Sequence, residues 1–279
     1  PHSALVGGLL IGAKQSLGAA LEEDFRRAGI IHIVVLSGFN VTIIASVIIS
    51  LLSFLPRTAA FIAGSIAIIF FTIMTGASAT VVRSAIMAII ALSAKQVRRD
   101  YNVPRALLAA ALLMMLYDPR VVIYDPSFQL SFLSTVGLIA LSPFVARRLW
   151  RVPEKFQLKE IVTATLSTQL FVLPYLLYAM GNFSVVALVV NLLVLPFIPI
   201  TMLLSFVAVI AGFINQTLGI FCMFPAYFFL QYELLVVKFF AHLPFAYFPV
   251  AFFPGWLAAL CYIVYGVVLG RIYLKIHEK

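Results

Sequence analysis

Long apolar runs recur along this chain from about residue 31 to its end, separated only by short polar or charged stretches. Several runs reach about 17 residues or more, the length that an α-helix needs to cross a hydrocarbon core of about 30 Å. The composition agrees, because 63% of the residues are hydrophobic and only 10% are charged, against about a quarter charged in soluble domains. These features predict an all-α polytopic membrane protein and exclude a soluble α/β enzyme.

We predict about nine transmembrane helices, some of them broken or re-entrant where polar residues, glycine or proline interrupt the apolar run. Their approximate bounds are 31–55, 58–74, 77–95, 104–117, 128–146, 160–178, 184–213, 216–241 and 254–273. They belong to a predicted transmembrane channel domain at residues 30–279, preceded by an N-terminal segment at residues 1–29.

The N-terminal segment contains a predicted amphipathic helix at the membrane interface. From Ser16 to Gly29 the charged residues fall largely opposite the apolar ones, a pattern typical of interfacial helices. Because the chain starts at Pro1 rather than Met, we expect it to be one part of a longer protein.

The formal net charge of +9 has a topological explanation. Lys and Arg are concentrated in alternate loops, as the positive-inside rule requires, which places the C-terminus in the cytoplasm. Cys222 and Cys261 both lie in apolar runs, where a small buried hydrophobe is the usual role of cysteine. We therefore predict no disulfide, no metal site and no cofactor.

Polar and small residues interrupt the first long apolar run, from Ile31 to Ile44. On a helix with 100° per residue, the three polar side chains fit one broad face, and the glycine weakens the helix at the same level. They either line a water-filled cavity or make contacts at the interface and between helices. The residues concerned are His32, Ser37, Gly38 and Asn40.

Arg83 lies about six residues into its predicted span, where an ionised guanidinium in lipid is costly. It either faces the protein interior or extends to the near interface, about 9 Å away. Gly76 to Ser78 precede it, so a half-helix that begins there could present free N–H groups to an anion.

A stripe of hydroxyl groups marks the run after residue 126. Such a stripe is typical of helix packing, although it can also line a polar path. Gln129 falls off the stripe and is harder to explain by packing. The stripe consists of Ser127, Ser131, Ser134, Thr135 and Ser142.

Two further interruptions occur towards the C-terminus. Asn191, Pro196 and Pro199 predict a kinked or broken helix, because prolines in spans free carbonyl groups that need other partners. Glu233 and Lys238 are predicted to pair or to extend to the outer interface, in a structural role.

The sequence carries no metalloprotease, nucleophile-elbow or phosphate-loop motif and no cluster of metal ligands. We therefore expect no enzymatic activity. An intramembrane hydrolase that uses Ser37 and His32 is a minor alternative, since the two lie five residues apart without an obvious third group.

Several phrases, taken in chain order, resemble the membrane domain of the ComEC family of competence proteins. They are "GGLLIGAKQSLGAALEEDFRRAGIIHIVVLSGFNV", "SATVVRSAIMAII", "LLMMLYDP", "DPSFQLSFLSTVGL" and "VVNLLVLPFIP". His32, Ser37 and Gly38 match the family phrase H-L-L-A-x-S-G-L-H-V, and Asn40 stands where the family usually has a second histidine. The other matching residues are Arg83, Asp118, Pro119, Phe128, Gln129, Ser131, Asn191 and Pro196.

The resemblance implies a multi-pass channel of the bacterial cytoplasmic membrane that passes one strand of transforming DNA into the cell during natural competence. The partners it implies are single-stranded DNA, the lipid bilayer, a DNA receptor outside, a cytoplasmic ATP-driven motor and further copies of the chain. Family members often carry an OB-like and a metallo-β-lactamase-like domain, and this chain contains neither. Its candidate channel-lining or DNA-contacting residues are His32, Ser37, Gly38, Asn40, Arg83, Gln129, Ser131 and Asn191.

The main alternative is a secondary transporter for a small anionic substrate, which would also need broken helices and an intramembrane arginine. A DNA channel predicts a continuous wide passage, whereas a transporter predicts a closed pocket at the midplane.

Overall fold

A computed structural model describes residues 1–13, 17–34, 38–52, 54–149, 158–250 and 252–277, with the backbone alone for Phe39 and residues 272–277. Helices account for most of this part of the chain, and two strands of three residues each form one small sheet. The elements are α1 (His2–Ile11), α2 (Gly18–Arg27), α3 (Ile31–Val34), α4 (Gly38–Leu51), α5 (Arg57–Met74), α6 (Ala79–Gln96), α7 (Val103–Tyr117), α8 (Val121–Tyr124), α9 (Pro126–Arg148), α10 (Leu158–Met180), β1 (Asn182–Ser184), α11 (Ala187–Val194), α12 (Ile198–Ile214), α13 (Gln216–Ala241), β2 (Tyr247–Pro249) and α14 (Gly255–His277).

Within the described residues, five helices are long and apolar enough to cross a membrane, namely α5, α6, α9, α10 and α13. The pair α11 and α12, bent by 49°, makes a sixth if it counts as one span. Every predicted apolar segment contains at least one helix, so the protein is an all-α, multi-pass membrane protein as predicted. The number of about nine spans stays a prediction, because the described parts of α1, α4, α7 and α14 are shorter apolar helices of 10–17 residues.

The two N-terminal helices, α1 and α2, pack against other helices of the chain, among them α13. α1 was not predicted, because its ten apolar and small residues are too few for a span. The predicted amphipathic helix corresponds to α2, and its Leu21 and Phe25 are buried in a core shared with α11, α12 and α13. Its location at a membrane interface and the domain boundary after residue 29 therefore stay predictions.

Tyrosine hydroxyls of α14 meet the backbone of α10 where Pro174 interrupts it. Proline has no N–H, so the carbonyl four residues earlier, that of Leu170, loses its helical partner. Tyr265 donates to the Leu170 carbonyl at 2.9 Å, and Tyr262 donates to the Phe171 carbonyl at 3.1 Å. α14 thus attaches to α10 through the carbonyl that the proline leaves without a donor and through the neighbouring Phe171 carbonyl.

The predicted break at Pro196 is confirmed as the bend between α11 and α12. The Phe197 N–H bonds to the Val194 carbonyl at 3.0 Å, so the Leu193 carbonyl loses its usual donor. The Tyr232 hydroxyl of α13 donates to that carbonyl at 3.1 Å. As at Pro174, a tyrosine hydroxyl of a neighbouring helix donates to a backbone carbonyl that the interruption leaves without its usual donor.

Two helix pairs and one central helix organise the packing. α9 lies along α10, and α12 lies along α13. α6 contacts α4, α5, α7 and α9, so a side chain in its first turns is surrounded by protein. This arrangement places Arg83 at the meeting point of three helices.

Candidate functional site

The candidate site lies where the beginnings of α4, α6 and α9 meet around Arg83. This side chain is only 8% exposed, so the inward placement that its sequence position allowed is the one found. Its Nε donates to the Ser131 hydroxyl of α9 at 2.7 Å. Its Nη2 donates to the Ser84 hydroxyl at 3.2 Å, and its Nη1 donates to the Met87 sulfur at 3.2 Å.

Arg83 has no acidic partner within the described part of the chain, where the ion pairs join Arg26 to Glu22 and Glu23. Its three acceptors are neutral, and a thioether sulfur is a weak one. A guanidinium has five N–H donors, so two of them have no acceptor among the described residues. Among the residues that the structure describes, this buried positive charge therefore lacks both a counter-charge and a full set of hydrogen-bond acceptors.

The first residue of α4, Gly38, lies directly against this guanidinium. A Cβ added at Gly38 would stand 2.5 Å from Arg83 Nη2 and 2.8 Å from the Ser84 hydroxyl oxygen. Only a residue without a side chain allows this approach.

Asn40 is fully buried, and its Nδ2 donates to the Ile33 carbonyl at 2.8 Å, which ties α4 to α3. His32 lies on α3 with an exposed side chain. His32 thus belongs to α3 and Asn40 to α4, and because residues 35–37 between them lie outside the described part of the chain, a shared helix face stays a prediction. Ser37 lies outside the described residues.

Gln129 and Asn191 are not among the hydrogen-bond partners of Arg83 in the described part of the chain. Gln129 Nε2 donates to the carbonyls of Val122 and Ile123 at 2.8 and 2.9 Å, and its Oε1 accepts from the Tyr175 hydroxyl. It therefore fixes the corner between α8 and α9. Asn191 is 3% exposed on α11, whose main contacts are with α10 and α13, and its Oδ1 has no hydrogen-bond partner in the described part of the chain.

The hydroxyl stripe of α9 serves packing more than a polar path. Ser134 and Thr135 both donate to the Ser131 carbonyl at 2.9 Å, within their own helix. Ser131 is the member whose hydroxyl reaches the arginine. One turn earlier, Thr80 of α6 donates to the Ser127 carbonyl at 3.5 Å.

Sequence reasoning missed Ser84 as a neighbour of the arginine, although the two are adjacent in the chain. Ser84 is 7% exposed and donates to the Thr80 carbonyl at 2.9 Å, which fixes its oxygen as an acceptor for Arg83. In the loop after α6, burial raises the pKa of the Tyr101 hydroxyl, and the Arg83 charge opposes that shift. An aromatic ring thus lies within electrostatic range of the guanidinium.

Two cavities accompany these elements, and Arg83 lines neither. One of about 180 Å³ is an apolar groove between α5 and α6. The other, about 330 Å³, lies between the end of α10 and the segment from Val250 to Gly255. In the described residues, no group of three or more His, Cys, Asp or Glu could hold a metal ion. The absence of enzymatic activity stays a prediction.

A family model described as "Competence protein" matches residues 9–275, nearly the whole chain. The chain belongs to the competence protein family. It is similar to ComE operon protein 3 of Bacillus subtilis (strain 168), with 25% identity over 236 residues. That alignment covers 84% of this chain and 29% of the relative, so the chain spans less than a third of the relative's length. No solved structure gave a significant match.

Proposed function

We propose that this chain is the membrane channel part of a DNA-uptake protein, passing single-stranded DNA across the bacterial cytoplasmic membrane during competence. Family membership supports the role in competence. The observation that carries the channel proposal is Arg83, a buried cation that lies against Gly38 and has no counter-charge among the described residues. The proposal assigns transport and no catalysis to the chain. The receptor outside, the ATP-driven motor and self-association belong to the same proposal.

The electrostatics of the site favour an anionic ligand. Burying an unpaired charge costs several kcal/mol, and residues at membrane depth that bear this cost commonly mark a substrate pathway. Arginine is a usual partner of phosphate in proteins, because its N–H donors match the phosphate oxygens. A phosphate of the passing strand would supply both the missing negative charge and acceptors for the two free N–H donors of Arg83.

The surroundings of Arg83 suit a strand better than a tightly enclosed small anion. Single-stranded nucleic acid is held by cationic groups for phosphates and aromatic rings for bases, and Tyr101, 37% exposed, lies within electrostatic range of Arg83. Arg83 lines neither of the two cavities described above, so neither encloses an anion at this guanidinium.

The test uses a naturally transformable host that lacks its own competence channel and receives the full-length protein carrying this chain. Uptake is measured as labelled DNA that is protected from external nuclease, at equal membrane abundance of each variant. Arg83→Ala should reduce uptake by roughly 10- to 100-fold, since hydrogen bonds to charged groups are worth about 1.5–3 kcal/mol. DNA uptake by Arg83→Lys should lie between that of the wild type and that of Arg83→Ala, because lysine keeps the positive charge but lacks the planar fork of N–H donors.

The matched control is Arg105→Ala, which removes an exposed arginine at the start of α7 and should leave uptake unchanged. Normal uptake by Arg83→Ala at normal abundance would contradict the phosphate contact. If that variant takes up DNA normally but loses transport of a small phosphate anion into vesicles, the chain is an anion transporter.

A further inference from the structure

A carboxyl group lies in the core of the membrane-spanning part, away from the arginine site. Glu233 of α13 is 1% exposed and has the core residues Leu230, Leu234 and Val237 on its own helix around it. The sequence predicted that Glu233 would pair with Lys238 or reach the interface, and this is wrong. Five residues place the two side chains about 140° apart on a helix, and Lys238 is exposed.

Glu233 contacts the first turn of α12 through Thr201. The Thr201 hydroxyl oxygen lies 2.6 Å from Glu233 Oε1 and 3.0 Å from the Phe197 carbonyl oxygen. The other carboxyl oxygen, Oε2, is buried and has no hydrogen-bond partner in the described part of the chain. The Phe197 carbonyl also accepts the Thr201 backbone N–H at 2.9 Å.

Counting protons indicates the charge state of this group. A threonine hydroxyl has one proton, which cannot point to both neighbouring oxygens. If it points to a carboxylate, its lone pairs face the Phe197 carbonyl at 3.0 Å, which is repulsive. If the proton is on Glu233 Oε1, the acid donates to Thr201 and Thr201 donates to Phe197, so both contacts are hydrogen bonds. A neutral acid also leaves Oε2 as a carbonyl oxygen, which is far less costly to bury without a partner than an ionised one.

The groups that face Glu233 offer no positive charge. Among the helices packed on α13, α11 and α12 have no titratable side chain. His2 of α1 is hydrogen-bonded to Gln231, and on α13 itself Tyr232 donates to the Leu193 carbonyl. The remaining charges, on α2, are partly or fully exposed: Glu22, Glu23, Asp24, Arg26 and Arg27. Glu233 takes part in no ion pair among the described residues.

We propose that Glu233 is an intramembrane proton-binding site that controls the bend between α11 and α12. In its protonated form it holds the first turn of α12 through Thr201, while the adjacent Tyr232 holds the last turn of α11. The two neighbouring residues of α13 thus attach to opposite sides of the 49° bend. When the proton is lost, the Thr201 hydroxyl turns to the carboxylate and gives up its bond to the Phe197 carbonyl at the start of α12, so the α12 side alone changes its contacts and the bend can change its angle. The ligand of this site is the proton itself.

The test is infrared spectroscopy of the full-length protein in lipid bilayers at neutral pH. The difference spectrum of wild type minus Glu233→Gln should contain the carbonyl band of a protonated carboxylic acid, which shifts in D₂O. Thr201→Val should move this band because it removes the acceptor, whereas Thr201→Ser keeps the hydroxyl and should leave the band in place. A carboxylate doublet in the same difference spectrum, with no acid band, would overturn the proposal.

Stability gives a second and independent readout. Glutamine imitates a neutral acid in shape and can donate to Thr201, so Glu233→Gln should keep the thermal midpoint of the wild type. Glu233→Ala should lower it, because it leaves a cavity and removes the contact with α12. If Glu233→Gln lowers the midpoint as much as Glu233→Ala does, the ionised form is the one the fold requires and the proposal fails.

Discussion

Replacing Gly38 by alanine tests the close approach of α4 to Arg83. The new methyl group would lie 2.5 Å from Arg83 Nη2 and 2.8 Å from the Ser84 hydroxyl oxygen, where ordinary contact starts at 3.4 Å. The guanidinium must therefore withdraw by about 1 Å if the helices keep their positions. Ser84 cannot yield easily, because its oxygen is held by the bond to the Thr80 carbonyl.

The size of the effect follows from three terms. Losing the 3.2 Å bond between Arg83 and Ser84 costs about 1.5–3 kcal/mol, as for hydrogen bonds to charged groups. Overpacking adds about 1–3 kcal/mol. Alanine gains about 0.5–1 kcal/mol over glycine in a helix. We therefore expect Gly38→Ala to destabilise the protein by about 2–5 kcal/mol and to reduce DNA uptake, because the guanidinium is displaced.

The assay compares thermal unfolding and nuclease-protected DNA uptake for Gly38→Ala and Gly266→Ala. Gly266 also lies within a helix, but a Cβ there meets no atom within 4 Å, so its variant should match the wild type. In the Arg83→Ala background, Gly38→Ala should destabilise the protein less, since the contact with Arg83 Nη2 is gone and only the one with the Ser84 oxygen remains. The reasoning is refuted if Gly38→Ala behaves like Gly266→Ala, or if its cost is the same in both backgrounds.

Two further predictions concern backbone groups that side chains satisfy. Asn40→Leu should lower stability by about 1–3 kcal/mol, as it removes the donor to the buried Ile33 carbonyl; an unchanged thermal midpoint would contradict this. Tyr265→Phe should cost about 0.5–1.5 kcal/mol by removing the donor to Leu170. In a Pro174→Ala background the new N–H at position 174 can bond to the Leu170 carbonyl, so Tyr265→Phe should lower stability little. An equal loss of stability in both backgrounds would argue against the role given to Tyr265.

Hydropathy located the helices well because the bilayer imposes the same length and composition on every span. The segment 216–241, for example, coincides with α13. The buried position of Arg83 also follows from a general cost, that of a charge in lipid. Its partners do not follow, because Ser131 lies 48 residues away in the chain and the pairing of helices depends on packing in three dimensions.

Reasoning on a helical wheel does not identify the partners of polar residues. His32 belongs to α3 and Asn40 to α4, and the bond from Asn40 to the Ile33 carbonyl, seven residues earlier in the chain, is a contact that a helical wheel does not predict. Glu233 was misjudged for a related reason: the sequence offers Lys238 as the nearest opposite charge, while the actual partner, Thr201, lies on the preceding helix. Polar residues in spans are thus easy to find in a sequence, but their contacts are not.

The tyrosine contacts between α14 and α10 have a consequence for how the chain enters the membrane. The Leu170 carbonyl receives its donor from Tyr265, 95 residues later. At about 5–20 residues per second, synthesis of that stretch takes about 5–20 s. During this interval an unpaired carbonyl in a span must be met by water or by another protein, because lipid cannot bond to it. α10 therefore completes its backbone hydrogen bonds only after α14 has been made and has packed against it. In chains that stop before residue 265, α10 should remain open to recognition by cellular quality control.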